Sequence, residues 1–207
     1  MKTIISKALD LSYSYSDYRK INIDLLPLEK ASENTQLHDL AQFSALNETR
    51  MHRLDKTIVI SENTIQKLST LKNNYIWLVI AEGWCGDAAQ IMPIINKINL
   101  VANAIEMKIV FRDENPDLMN LFLTNGTKAI PKLIVLDKKT LDVEANWGPR
   151  PKGALELIAN YKEKHGEIDA NAKTELQLWY LHDKGISTQN ELTELMVSIE
   201  SELAFKM

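Results

Sequence analysis

Apolar and polar positions recur with two different periods along this chain, and the change of period marks its organisation. Between residues 57 and 164, short β-rich apolar runs alternate with longer stretches whose apolar residues return every three to four positions, the pattern of an α/β sheet. Runs 57–60, 75–81, 107–112, 133–137 and 141–146 are expected as strands, and stretches 62–71, 85–103, 116–123 and 152–164 as helices. Asn115 before Pro116 reads as an N-cap with proline at the first helical position, and Gly166 as the stop of the last of these helices.

The flanks follow the helical period. In residues 1–56, Ser32 is an N-cap for a segment with Leu37, Leu40, Ala41 and Ser44 on one face, and Tyr13, Tyr18, Ile21 and Leu25 form an apolar arm before it. A basic patch of Arg50, His52, Arg53 and Lys56 closes this extension. Residues 165–207 read as a helical hairpin. Leu176, Trp179 and Tyr180 make one stripe, Gly185 breaks it, and Thr188 with Glu191 forms a capping box ahead of Leu192, Leu195, Met196 and Ile199. These apolar stripes are expected to pack on the 57–164 domain or on a second copy of the chain, which makes a homodimer one expected assembly.

Composition narrows the function classes. A net charge of −4, with both signs interspersed, leaves no footprint for nucleic acid or an anionic bilayer. No apolar run approaches the roughly 20 residues of a membrane span, and the N-terminus lacks a secretory pattern. A soluble, cytoplasmic protein is therefore expected. The four histidines, His38, His52, His165 and His182, show no zinc-ligand spacing, so no metal or bound cofactor is expected. The single cysteine, Cys85, has no internal disulfide partner and is either a buried filler or a reactive thiol.

Its setting favours reactivity. The segment Glu82-Gly83-Trp84-Cys85-Gly86-Asp87-Ala88 follows an apolar run and opens a helix, where unpaired N–H groups and the helix dipole stabilise a thiolate. Trp84 offers an apolar shelf, and Gly86 lets a substrate backbone approach. Asp87 either complements the dipole or tunes the thiol, and Glu82, Arg112 and Arg150 are candidates to line the site.

At Trp84-Cys85-Gly86 the chain resembles the thioredoxin superfamily. Pro93 matches the family's helix-kinking proline, and residues 126–133, which include Ile130 and Pro131, resemble the segment carrying its cis-proline. The resemblance extends in register over residues 57–164. It is nearest to bacterial single-cysteine thioredoxin-like proteins with a Trp-Cys-Gly-Asp-Ala turn, an Arg-Asp-Glu-Asn segment (112–115) and a Trp-Gly-Pro-Arg-Pro segment (147–151). It implies a thioredoxin-like α/β fold, a mixed central sheet with helices on both faces, extended by helices at both ends. It also implies a cis Ile130–Pro131 bond and a substrate groove at Trp84, Gly86, Asp87, Ile130 and Pro131, with Cys85 as the catalytic thiol.

Two departures limit the chemistry. Ala88 stands where the family has its resolving cysteine, and Val79 where it has a buried acid. Dithiol cycling is excluded. The expected activity is monothiol exchange with a protein or small-molecule disulfide, resolved by glutathione or another low-molecular-weight thiol as co-substrate. The competing readings are a peptide- or protein-binding module with an inert Cys85, and an assembly subunit that uses the helical extensions.

Overall fold

Tyr75–Ala81 is apolar at every position and buried at every position, so it forms β1 inside the sheet rather than at an edge. The computed structural model describes residues 1–31 and 35–206, with the side chains of 28–31, 35–39 and 206 left aside. β1 pairs in parallel with β2 (Ile105–Phe111) and antiparallel with β3 (Lys132–Asp137), which pairs antiparallel with β4 (Val143–Trp147). The order β2-β1-β3-β4 is a mixed sheet, and a register shift interrupts the β3–β4 ladder at Val135/Leu136.

Helices flank this sheet. In chain order they are α1 (Lys2–Asp10), α2 (Tyr15–Ala31), α3 (Thr35–Thr57), α4 (Glu62–Leu68), α5 (Gly86–Val101), α6 (Pro116–Leu121), α7 (Lys152–His165), α8 (Ala170–Asp183) and α9 (Ile186–Lys206). One buried cluster runs from Ile5, Tyr18 and Met51 through β1, α5 and β3 to Leu176, Leu192 and Met196, so both extensions share the sheet's core. Arg19 of α2 lies between Glu48 and Asp55 of α3 and ties that pair of helices together. Among the described residues no helix is long and apolar enough to cross a membrane.

The expected Tyr13–Leu25 arm is mostly helix α2, and Tyr13 pairs with Ile109 through N–H···O bonds of 2.8 and 2.9 Å. That bridge covers part of the edge of β2, a usual way to protect a strand from further pairing. The proposed Ser32 cap lies outside the described residues, as does the Leu37 side chain.

Two local expectations are corrected, and a third, the Asn115 N-cap ahead of Pro116, holds with a different side-chain bond. Residues 57–60 are not a strand. Thr57 ends α3, and the next backbone groups are taken by a side chain: Gln189 donates to the Val59 carbonyl at 3.1 Å and accepts the Ser61 N–H at 3.0 Å. The Thr188–Glu191 capping box is absent. α9 begins earlier, at Ile186, the buried Thr188 hydroxyl has no hydrogen-bond partner, and Glu191 instead accepts the Lys152 N–H at 2.7 Å and the Trp147 indole N–H at 2.8 Å. Asn115 is the N-cap of α6, but its amide turns back to donate to the Phe111 carbonyl at 2.8 Å rather than capping through its side chain.

Candidate thiol site

β1 ends at Ala81, and the chain turns through Glu82, Gly83 and Trp84 into α5, whose N-cap is Cys85. With extended backbone at Cys85, the sulfur accepts the Ala88 N–H at 3.4 Å, and the thiol donates to the Ile130 carbonyl, also at 3.4 Å. The following peptide, Ile130–Pro131, is cis, as is Gly148–Pro149. These two loops meet directly. Gly148 has φ of 115°, and a Cβ there would fall 2.3 Å from the Pro131 carbonyl oxygen, so only glycine fits.

Asp87, in the first turn of α5, is a junction. Its Oδ2 accepts from Arg150 Nε at 2.9 Å and pairs with Arg150 Nη2 at 2.7 Å, and its Oδ1 accepts the Tyr180 hydroxyl at 2.9 Å. One carboxylate thus joins the helix carrying the thiol to the loop before α7 and to α8. The burial that makes this pair effective also controls the thiol. Burial first, and then the Asp87 carboxylate, push Cys85 up to about 12, outweighing the Ala88 and Asp87 N–H groups and Arg150. The thiolate expected from the helix N-terminus is therefore not the resting form, because desolvation exceeds the dipole's contribution.

Trp84 divides the surroundings. On one side it borders a cleft of about 430 Å³ shared with Cys85, Gly86, Asp87 and Arg150. On the other it borders a smaller cavity of about 150 Å³ with Glu82, Asn22 and Phe111. Arg112 stacks over the indole at 4.7 Å from the ring centre and pairs with Asp113 at 2.8 Å. Glu82 accepts the Asp113 N–H at 2.9 Å, yet burial pushes its carboxyl up to about 7. Of the expected site residues, Gly86, Asp87 and Arg150 share the thiol cleft with Trp84 and Cys85, Glu82 lies at the smaller cavity, Arg112 covers the indole, and Ile130 meets the sulfur through its carbonyl ahead of Pro131.

The cleft has walls that the motif does not announce. α3 supplies Phe43, Leu46 and Arg50, and α8 supplies Lys173, Leu176 and Gln177. A Cβ on Gly86 would lie 3.7 Å from Arg50 Nη1 and 3.8 Å from Gln177 Nε2, so both side chains reach over the opening turn of α5. Helical spacing of Phe43, Leu46 and Arg50 was the available signal, since it defines a second face beside the buried Ala41 and Ser44. Nothing local pointed to Tyr180, which the sequence pattern assigned only to an apolar stripe. Among the described residues no group of histidine, cysteine and carboxylate side chains could hold a metal ion.

The thioredoxin family matches residues 33–163, a span that takes in α3 as well as the sheet. Two solved structures share the fold over nearly their whole length. A Pseudomonas aeruginosa protein of unknown function is 14% identical with a TM-score of 0.54, 98% of each chain being covered. An HIV epitope-scaffold is 16% identical with a TM-score of 0.55, covering 94% of this chain and 95% of its own. No curated protein matches. With the family's sequence pattern spanning more than half of the residues, and with a mixed four-stranded sheet opening into a helix at Cys85, this chain belongs to the thioredoxin family.

Proposed function

We propose that the chain is a monothiol redox protein of the bacterial single-cysteine type, acting in the cytoplasm through Cys85 on a disulfide or thiol partner. The observation that carries this reading is the sulfur's position, N-capping α5 at the wall of an open cleft and touching the carbonyl before Pro131. In the reaction, the Cys85 S–H gives its proton to a base from solvent, and the thiolate attacks one sulfur of a disulfide. The S–S bond breaks, and the leaving thiolate departs with the electron pair and takes up a proton. An external low-molecular-weight thiolate, of which glutathione is one, then attacks the substrate sulfur of the mixed disulfide and releases Cys85. One disulfide is exchanged for another, so no further oxidant is needed. Ala88 supplies no thiol for internal resolution, which makes the external thiol obligatory.

A second reading, a binding module with an inert cysteine, is favoured by the burial of Cys85 and its raised pKa. Incubation with bis(2-hydroxyethyl) disulfide, read by intact mass, separates the two. The redox reading expects one adduct on the folded chain, at a rate rising with pH, removed by added glutathione. A folded chain that stays unmodified from pH 7 to 10, while the urea-unfolded chain reacts fully, favours the binding module.

A further inference from the structure

Two helices from the extensions, α3 and α8, flank the opening turn of α5. They convert what would be an open thiol surface into a cleft of about 430 Å³ in which Cys85 is only 8% exposed. That volume is characteristic of a small-molecule site, typically about 300–1,000 Å³.

The cleft's charge is one-sided. Its carboxylate, Asp87, has both oxygens engaged, by Arg150 and Tyr180. Arg50 is different. Among the described residues its guanidinium has one hydrogen-bond partner, Asn47 Oδ1 at 2.9 Å, although it carries five N–H donors. Asn47 is itself buried and donates to the Gly83 carbonyl at 2.9 Å, so the Arg50 head is anchored to the turn that carries the thiol. Partial burial and the neighbouring Arg53 make this charge costly to hold. A partly desolvated guanidinium of this kind is completed by an anion, and its planar fork fits a carboxylate bidentately. The exposed Lys173 adds a second cation on the α8 wall, while Phe43, Leu46 and Leu176 give apolar surface between.

We infer that the cleft selects small disulfides or thiols that carry a carboxylate on an apolar body, with Arg50 holding the carboxylate while the sulfur meets Cys85. This inference rests on the reading of Cys85 as the reacting thiol. The bond changes are those of the exchange above, and Arg50 contributes binding only.

The test uses the full chain and two disulfide reagents. One is 5,5′-dithiobis(2-nitrobenzoate), with a carboxylate on each ring, and the other is the uncharged 2,2′-dithiodipyridine. Each rate is divided by that of the same reagent with the urea-unfolded chain, whose one cysteine is the same thiol. The normalised ratio of anionic to neutral reagent is expected to exceed about tenfold and to fall with added salt. Arg50→Gln should lower that ratio about tenfold, and Arg50→Lys should lower it less. Should Arg50→Gln fold poorly, the wild-type ratio and its salt dependence decide alone. Reaction with both reagents at a ratio near one, insensitive to salt, overturns anion selection and leaves the redox site standing. Absence of reaction with either reagent in the folded chain overturns the redox reading, and this inference with it.

Discussion

At Cys85 two effects of opposite sign compete: N–H groups at the start of α5 favour the thiolate, while burial and Asp87 favour the thiol. The second pair wins, and Asp87 is the part that a substitution can remove. Asp87→Asn deletes the repelling charge and leaves the Arg150 guanidinium without its counter-charge near the sulfur, so the midpoint of iodoacetamide labelling should fall by about one unit or more. The same change weakens the bonds from Arg150 and Tyr180, and the melting temperature should drop. Unchanged labelling would remove Asp87 from control of the thiol. Glu82 presents the simpler case. Its folded pKa of about 7 lies above the ordinary carboxyl value of 4.5, so the folded form keeps a proton that the unfolded chain releases. Stability is therefore unaffected below about pH 4.5, declines as pH rises to about 7, and carries a constant cost above it. Glu82→Gln retains an acceptor for the Asp113 N–H and should stabilise the protein at pH 8 by up to about 3 kcal/mol, with little effect at pH 4, in urea titrations at the two pH values.

Among the elements, α9 acts as a polar clamp as well as an apolar cover. Gln189 holds the chain after α3, Glu191 holds the start of α7 and the Trp147 indole, and Glu200 accepts the Lys72 and Asn73 N–H groups and the Tyr75 hydroxyl. All are long-range bonds: they give backbone N–H groups, the indole N–H and the Tyr75 hydroxyl an acceptor, and the Val59 carbonyl a donor. This is why 57–60, β-rich in sequence, stays out of the sheet: its neighbouring polar groups are already satisfied by a side chain. Glu191→Ala should therefore cost about 1–3 kcal/mol in thermal unfolding and shift the fluorescence of Trp147, whereas Glu191→Gln, which keeps one acceptor, should cost less. A neutral Glu191→Ala would show water to be an adequate substitute at both donors.

Over the whole molecule, the extensions are part of one core rather than attachments to it. Leu192 and Met196 are fully buried, and the Trp77 indole of β1 donates to the Met196 sulfur at 3.3 Å. Leu192→Ala should destabilise the chain by about 2–5 kcal/mol in a single transition, the range for a buried leucine that leaves a cavity. If the extensions were independent, the substitution would instead give two transitions, with the sheet unaffected. The same packing makes the cleft, since α3 and α8 can stand over Cys85 only while the helices behind them are seated.

What was readable in the amino-acid order is local. A seven-residue apolar run rich in β-branched and aromatic residues reads as an inner strand, as β1 is, and Trp84-Cys85-Gly86 after it puts the thiol where a helix begins. Two helices broken at Gly185 follow from the same kind of pattern, because period and turn residues act within a few positions, but the expected hairpin pairing does not: α8 packs mainly on α7, and α9 on α4, α5 and β4. Contacts between residues far apart in the chain carry no such signal. Glu191 read as a cap for its own helix and serves another, and Asp87 read as a first-turn charge and meets partners 63 and 93 residues away. The protonation of Cys85 belongs with these. A helix terminus favours its thiolate locally, but the burial that reverses this preference exists only once the sheet, the loops and both extensions have closed around the sulfur.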